Sequence, residues 1–219
     1  MKSILLKARV AFDAASLDWL QDAGHKVHGH AFDARETLFT GFKGIYSALR
    51  LYHGTRIEDP ALFTVTGILP SNIVGLNKRA VQLFGESPEL REIIKELRWY
   101  TEHNVDRIWV SLDPCQCLKY EYCWRGSEYL SGIANRLEMA EKIKNCGTPT
   151  LLEFDVSVEE VGDDQVNRIA KRAIGALYEN WDRPGSIKAP VPFDFELLKP
   201  VLPEQIRKIR QFRERPATL

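Results

Sequence analysis

The sequence lacks a long hydrophobic run and has no excess of charge of either sign. No stretch of roughly 18 apolar residues, the length that spans a bilayer, occurs among its 219 residues. Its 30 basic and 30 acidic residues give a formal net charge of zero, so no overall field draws the protein to nucleic acid or to an anionic membrane. Near the start, Lys7 and Arg9 interrupt the apolar residues too early for a signal peptide. We therefore expect a cytoplasmic protein with no membrane partner.

Familiar metal-binding patterns are also missing. The first three of the four cysteines, Cys115, Cys117, Cys123 and Cys146, have the spacing C-x-C-x5-C, and no paired CxxC accompanies them. The histidines of HKVHGH, residues 25–30, likewise have no partner at a common ligand spacing. We expect buried or half-buried thiols in a reduced compartment and no metal ion.

Strand-like segments and amphipathic helical segments are mixed along the chain. Ser87 and Pro88 form a helix cap and first-turn pair, and Leu90 and Ile93 follow at helical spacing. The segment TLLEFDVSV, residues 150–158, has the composition of a strand. Because strand and helix do not alternate strictly, the sequence predicts the α+β class with a largely antiparallel or mixed sheet.

Two further assignments complete the outline of the chain. Residues 127–147 are predicted to form one helix that ends at Gly147, and residues 203–212, PEQIRKIRQF, are predicted to form an amphipathic tail. We divide the chain into a helical and extended lead-in, residues 1–47, packed on a main domain, residues 48–219.

The hexapeptide LYHGTR, residues 51–56, combines a histidine, a glycine and a threonine where an apolar run meets a predicted turn. This arrangement leaves an imidazole beside a backbone that has no side chain, which suits a flat polar ligand that must approach the main chain closely. A histidine in an ordinary turn would give the same pattern.

Three segments in the same order resemble the motifs of the NAD-dependent ADP-ribosyltransferase superfamily, in its His-Tyr-Glu branch of poly-ADP-ribose polymerases and diphtheria-like toxins. LYHGTR resembles the first motif, RIWVSLDPCQCLKYEYC (residues 107–123) the second, and FDFELLKPVLPEQIRKI (residues 193–209) the third. The resemblance covers roughly residues 48–213. It implies a split mixed or antiparallel sheet with flanking helices, in which residues 48–219 are the catalytic domain.

The resemblance also implies NAD as a co-substrate and assigns residues to it. The backbone of Gly54 would bind the nicotinamide carboxamide, His53 would bind a ribose hydroxyl of the adenosine half, and Thr55 would support this segment. Trp109 stands where the family usually has the tyrosine that packs on the nicotinamide ring. Tyr120 stands at the second stacking position.

A carboxylate is the remaining requirement, because cleavage of the nicotinamide–ribose bond passes through an oxocarbenium-like transition state. The resemblance assigns this role to Glu196, which would bind the ribose 2′-hydroxyl and act with His53 as the catalytic pair. Glu128, at a predicted helix start, and Glu153, on a middle strand, are alternatives. In relatives that modify protein or nucleobases, the position of Asp194 often carries Glu or Gln, which helps to position the acceptor. The aspartate side chain is shorter than either.

The expected activity is mono-ADP-ribosylation of a macromolecular acceptor, protein or nucleic acid, by a bacterial toxin, effector or defence enzyme. Such a cytoplasmic toxin would need a neutralising protein or antitoxin in its own cell. Two alternatives remain open: an RNA 2′-phosphotransferase, which shares the HGT signature, and an inactive binding module of the same fold. The basic segments NKR, residues 77–79, and IRKIRQFRER, residues 206–215, form either local phosphate contacts or solvated helix faces.

Overall fold

The structure is a computed structural model that describes residues 25, 33–97, 106–119, 123–124, 126–182 and 194–214. Tyr120, His28, His30 and most of the predicted lead-in, residues 1–47, lie outside the described residues.

The described chain is α+β, with a five-stranded antiparallel open sheet and flanking helices. This confirms the predicted class and the antiparallel character of the sheet. The strand order is β4-β2-β1-β3-β5. The strands are β1 (Ala48–Ile57), β2 (Ile108–Ser111), β3 (Thr148–Ser157), β4 (Asp194–Leu197) and β5 (Ile206–Gln211).

The register of the sheet brings two of the motif-bearing strands side by side. β2 pairs with β4 so that Trp109 lies opposite Glu196 and Ser111 lies opposite Asp194. β1 joins β2 on its other side through Tyr52 opposite Ser111. Because side chains alternate between the faces of a strand, Tyr52, Ser111, Asp194, Trp109 and Glu196 share one face of the sheet.

The helices begin where the sequence supplies caps. The Ser87 hydroxyl accepts a hydrogen bond from the Leu90 N–H at 3.0 Å, and Asn72 caps its helix by accepting from the Gly75 N–H at 2.9 Å. Asp113 accepts from the Cys115 N–H at 2.9 Å. The helices are α1 (Ala34–Ile45), α2 (Leu62–Thr66), α3 (Ile73–Phe84), α4 (Pro88–Glu96), α5 (Pro114–Lys119), α6 (Glu128–Arg136), α7 (Ala140–Lys144), α8 (Val158–Val161) and α9 (Asp163–Asp182).

The chain divides into two compact units, residues 1–49 with 157–193 and residues 50–156 with 194–219. In the first unit α1 packs against α9, and Lys43 forms an ion pair of 3.0 Å with Asp163. In the second unit one buried cluster joins α3, α4 and α6 and contains Ala80, Phe84, Leu90, Ile93, Leu97, Tyr129, Ile133, Ala134 and Ile143. The predicted division at residue 47 stays a prediction.

Three local predictions are wrong. The segment LYHGTR does not enter a turn, because β1 continues through it to Ile57. Residues 127–147 form two helices, α6 and α7, since Glu138 between them has a φ of 57°, which a continuous helix cannot contain. The predicted amphipathic tail contains strand β5, so its basic residues do not form a helix face.

A β-bulge explains why the tail resembles a helix in sequence. Ile209 lies opposite Leu152 and Ile206 lies opposite Phe154, with one extra residue on the β5 side between them. Leu152 and Phe154 are two positions apart and share a face of the sheet. Their partners Ile209 and Ile206 therefore share that face too, although these two are three positions apart. A strand with this extra residue shows the three-residue spacing that otherwise indicates a helix.

Candidate functional site

A cleft of about 810 Å³ lies in the second unit, at β1 and β2. Five of the candidate residues line it: His53, Gly54, Thr55, Trp109 and Glu128. Its volume lies within the range of roughly 300–1,000 Å³ that is usual for small-molecule and cofactor sites. The structure therefore gathers most of the candidates at one concave surface.

A large part of the cleft lining is apolar. It comes from α2, α3 and α6 and the segment before α3, through Leu62, Phe63, Ile68, Leu69, Leu76, Leu83 and Leu130. Polar lining residues come both from the strands, as His53 does, and from the helices, as Arg79 and Glu128 do. A lining of apolar side chains with a small number of polar groups is typical of small-molecule and cofactor sites.

His53 has a defined tautomer. Its Nδ1 lies 2.7 Å from the backbone carbonyl oxygen of Trp109, and a carbonyl only accepts, so Nδ1 carries the hydrogen. Burial lowers the pKa of His53, and the hydrogen bond to the carbonyl opposes this only in part. The ring is therefore neutral near pH 7, and Nε2 is an acceptor that can receive a hydrogen bond from a ligand hydroxyl.

Gly54 is required by packing on one face of β1. A Cβ at this position would lie 3.0 Å from the Sγ of Cys123 and 3.3 Å from the Cβ of Cys117, which is closer than carbon and sulfur atoms normally approach. The absence of a side chain thus lets two buried thiols pack against the strand. Glycine at this position therefore has a structural reason, close packing against the two thiols, besides the proposed approach of a ligand to the backbone.

The thiol of Cys117, which packs beside Gly54, is protonated in this environment. Cys117 and Cys123 are buried and Cys115 and Cys146 are half-buried, as predicted for their burial. Burial raises the pKa of Cys117 to about 12, so the thiolate that would react or bind a metal is scarce near pH 7. Among the described residues, no group of three or more His, Cys, Asp or Glu side chains is arranged to hold a metal ion.

Trp109 and Glu196 are neighbours across the β2–β4 pair. Trp109 is 43% exposed, although Ile108 and Val110 on either side of it are buried. The Glu196 carboxylate accepts a hydrogen bond of 2.6 Å from the Nη1 of Arg107. Arg107 and Trp109 line the cleft, whereas Glu196 is not among its lining residues.

The alternative carboxylates have different surroundings. Glu128 is exposed, is the first residue of α6 and lines the cleft. Asp194 also lines it. Glu153 instead forms ion pairs with Arg50 at 3.2 Å and with Arg210 at 3.0 Å, in a network that joins β1, β3 and β5. Glu153 is therefore engaged in a structural interaction, whereas Glu128 has direct access to a ligand in the cleft.

Arg56 is a cleft residue that the sequence analysis did not single out. Its Nε donates to the Cys146 carbonyl at 2.8 Å, its Nη1 donates to the Trp124 carbonyl at 2.7 Å, and its Nη2 donates to the Lys144 carbonyl. One side chain of β1 thus holds the segments before α6 and after α7. The signal was present in the hexapeptide itself, because Arg56 lies two positions after Gly54 and shares its face of the strand.

Four of the basic residues in or near the segments considered for phosphate contacts are paired with carboxylates. In and near NKR, Arg79 pairs with Glu58 and Arg91 with Glu86. In the tail, Arg207 pairs with Asp155 at 2.9 Å and Arg210 with Glu153. These pairs reduce the local positive field that a nucleic acid would meet.

In the part of the chain that the structure describes, no helix has both the length and the apolar character needed to cross a bilayer. No protein-family model, no curated protein and no solved structure matches the chain.

Proposed function

We propose that the protein is a mono-ADP-ribosyltransferase that cleaves NAD at the nicotinamide–ribose bond and transfers ADP-ribose to a macromolecular acceptor. The observation that carries this proposal is the convergence of His53, Gly54, Thr55 and Trp109 on one cleft of about 810 Å³. These four residues come from two motifs that are about 55 positions apart in the sequence.

NAD would bind with its carboxamide against the backbone of Gly54 and its nicotinamide ring on the exposed face of Trp109. The neutral His53 ring would accept a hydrogen bond from a ribose hydroxyl through Nε2, because Nδ1 is occupied by the Trp109 carbonyl. Tyr120, the second predicted stacking residue, lies outside the described residues.

In the reaction the bond between nicotinamide nitrogen and ribose C1 breaks, and nicotinamide leaves with the bonding electrons. The ribose becomes oxocarbenium-like, and a carboxylate stabilises this positive charge until a nucleophile of the acceptor attacks C1 and loses its proton. Glu196 is the proposed carboxylate. It lies beside Trp109 on the adjacent strand, and Arg107 holds it at 2.6 Å.

Glu128 is the competing carboxylate, because it lines the cleft directly. The two assignments differ in an observable way. If Glu196 stabilises the cation, its replacement abolishes nicotinamide release while replacement of Glu128 changes mainly substrate affinity.

The test is release of nicotinamide from NAD by the purified protein, alone and with cell lysate or total RNA. The wild type is compared with Glu196→Ala and Glu128→Ala. We expect release that increases with one fraction, which identifies the acceptor class, and that disappears in Glu196→Ala. Release that survives in Glu196→Ala and disappears in Glu128→Ala would transfer the catalytic assignment to Glu128.

Absence of release under every condition would contradict the proposal. The phosphotransferase and the inactive binding module would then remain. A phosphotransferase needs several arginines available for phosphate, and two of the three arginines that line the cleft, Arg79 and Arg107, are paired with carboxylates. Activity on a 2′-phosphorylated RNA would decide between the two.

A toxin or effector of this kind acts in the cytoplasm, and its own cell needs a neutralising protein. We include both points in the proposal. The growth of cells that express the wild type is compared with the growth of cells that express Glu196→Ala. Toxicity that depends on Glu196 would test both points, since the source cell would then require a neutralising partner.

A further inference from the structure

The three arginines that line the cleft, Arg56, Arg79 and Arg107, differ in how their charge is compensated. Arg79 is paired with the carboxylate of Glu58, and Arg107 with that of Glu196. The hydrogen bonds of Arg56 go to three backbone carbonyls instead. Carbonyl oxygens accept hydrogen bonds but carry no net charge, so Arg56 brings a full positive charge into the cleft wall.

The guanidinium of Arg56 is fixed in position and still has donors. A guanidinium has five N–H groups, and each of its three nitrogens gives one to a carbonyl. This leaves one N–H on each terminal nitrogen, and such a pair of donors can bind two oxygens of a phosphate. Because the three carbonyls already hold the side chain, little conformational entropy would be lost when an anion binds.

The environment of Arg56 also favours an anionic ligand. The side chain is half-buried, and this burial lowers the pKa of Arg56 although the group stays charged. A charge taken from water without a counter-ion is costly, and a bound anion reduces that cost. The carboxylates of Asp59, Glu128 and Asp194 line the same cleft, so an anion bound there needs a positive charge such as that of Arg56 to offset their repulsion.

We propose that Arg56 is the diphosphate-binding residue of the cleft, and that the cleft takes a nucleoside diphosphate whose phosphate oxygens bind the guanidinium fork. The assignment rests on the proposed function, in which that diphosphate is the centre of NAD. It names a recognition element that the motif residues His53, Gly54 and Thr55 do not supply.

The test compares ligands that differ only in the diphosphate. Dissociation constants of ADP and of adenosine are measured by titration calorimetry for the wild type, for Arg56→Gln and for Arg79→Gln. The last is the matched control, since Arg79 is a cleft arginine that is already paired with Glu58. The measured quantity is the ratio of the two constants, in which a general loss of affinity cancels.

We expect the wild type to prefer ADP over adenosine by at least about tenfold, the effect of one charge-assisted contact. Arg56→Gln should abolish this preference, and Arg79→Gln should keep it. A wild type that shows no preference, or that binds neither ligand, would overturn the proposal. So would an Arg56→Gln variant that keeps the preference.

Arg56→Gln loses charged donors to three carbonyls and can fail to fold, which circular dichroism would show. A measurement on the wild type then decides. The Nε–H resonance of Arg56, assigned by its absence from the spectrum of Arg56→Lys, is expected to shift on addition of ADP or inorganic pyrophosphate and not of adenosine. An unchanged resonance would refute the proposal.

The outcomes separate this inference from the proposed function. Nicotinamide release by a protein whose Arg56→Gln variant keeps the ADP preference would leave the transferase and remove the Arg56 assignment. Suppose instead that Arg56→Gln loses the preference for ADP and that the wild type releases no nicotinamide. This outcome would support a nucleoside-diphosphate site and contradict the transferase.

Discussion

Glu196 lies directly opposite Trp109 across the β2–β4 pair, so the two side chains project from the same face of the sheet. In the proposed reaction one would stack on the nicotinamide ring and the other would face the ribose from which that ring departs. Their adjacency gives a carboxylate and an aromatic surface a fixed relationship that does not depend on a loop.

The first prediction is a ranking of these two residues in catalysis. A carboxylate about 4 Å from a unit positive charge contributes roughly 4 kcal/mol at an effective dielectric constant near 20, which corresponds to about a thousandfold in rate. Ring stacking contributes about 0.5–1.5 kcal/mol, which is tenfold at most. We expect Glu196→Gln to lower kcat for nicotinamide release by about a thousandfold and Trp109→Leu by no more than about tenfold. Equal losses in the two variants would contradict the assigned roles.

The second prediction concerns Gly54 and stability. A Cβ at this position meets the Cys123 Sγ at 3.0 Å and the Cys117 Cβ at 3.3 Å, and overpacking of this kind costs about 1–3 kcal/mol. We expect Gly54→Ala to lower the free energy of unfolding by that amount, measured by urea denaturation. Gly75→Ala is the control, because its Cβ would meet its nearest neighbour at 3.6 Å, an ordinary contact, within a helix.

A double variant identifies the cause. Replacing Cys123 with alanine removes the sulfur that a new Cβ at position 54 would approach, so Gly54→Ala should cost less in a Cys123→Ala background than in the wild type. An unchanged cost would show that the backbone, rather than the thiol, makes glycine necessary.

The sequence predicted elements whose signals are local. The helix α4 follows from the Ser87 cap and from Pro88 in its first turn, and β3 covers most of the segment TLLEFDVSV that was predicted as a strand. The class and the antiparallel sheet follow from the same mixture of short strands and amphipathic helices. Each of these depends on residues within one or two turns of each other.

What the sequence did not predict depends on partners distant in the chain. The bulge that makes Ile206 and Ile209 share a face is set by pairing with β3, about 50 positions earlier. The contacts of Arg56 reach carbonyls 68 to 90 positions away. No local pattern reveals either relationship. The three-residue spacing in the tail therefore indicated a helix, and nothing distinguished Arg56 from other charged residues.

The third prediction is a pH dependence of stability that arises from His53. Burial lowers the pKa of His53 in the folded protein below its ordinary value of 6.5, so below that value the unfolded chain binds more protons than the folded one. The stability that the neutral His53 ring contributes is fully present above about pH 6.5 and is lost as the pH falls through the pKa of His53 in the folded protein. We expect Tm to decrease between about pH 7 and pH 5.

His53→Gln serves as the comparison, because an amide can still donate to the Trp109 carbonyl but does not titrate in this range. Its Tm should fall less over the same interval, since histidines elsewhere titrate in both proteins. Parallel Tm curves for the two proteins would show that His53 does not lose stability on protonation.

The fourth prediction concerns the ion-pair network on β1, β3 and β5. Asp155 accepts hydrogen bonds from Arg50 and Arg207, each with a closest distance of 2.9 Å, and these bonds hold the pKa of Asp155 below its ordinary value of 3.8. The folded protein therefore gains stability from Asp155 above pH 3.8 and loses it as the pH falls through the folded pKa. We expect Asp155→Asn to lower Tm by about 2–4 °C near pH 7.

Salt and acid distinguish this electrostatic effect from a change in packing. The Tm difference between wild type and Asp155→Asn should shrink at about 1 M NaCl, where the screening length is about 3 Å. It should also shrink below about pH 4, where the Asp155 carboxyl of the unfolded chain begins to be protonated. Glu92→Gln is the matched control: Glu92 pairs with Lys95 on the exposed surface of α4, and such a pair contributes about 0.5 kcal/mol or less. A Tm difference for Asp155→Asn that is the same at high salt and in acid would mean that the carboxylate stabilises the sheet by its shape and hydrogen bonds rather than by its charge.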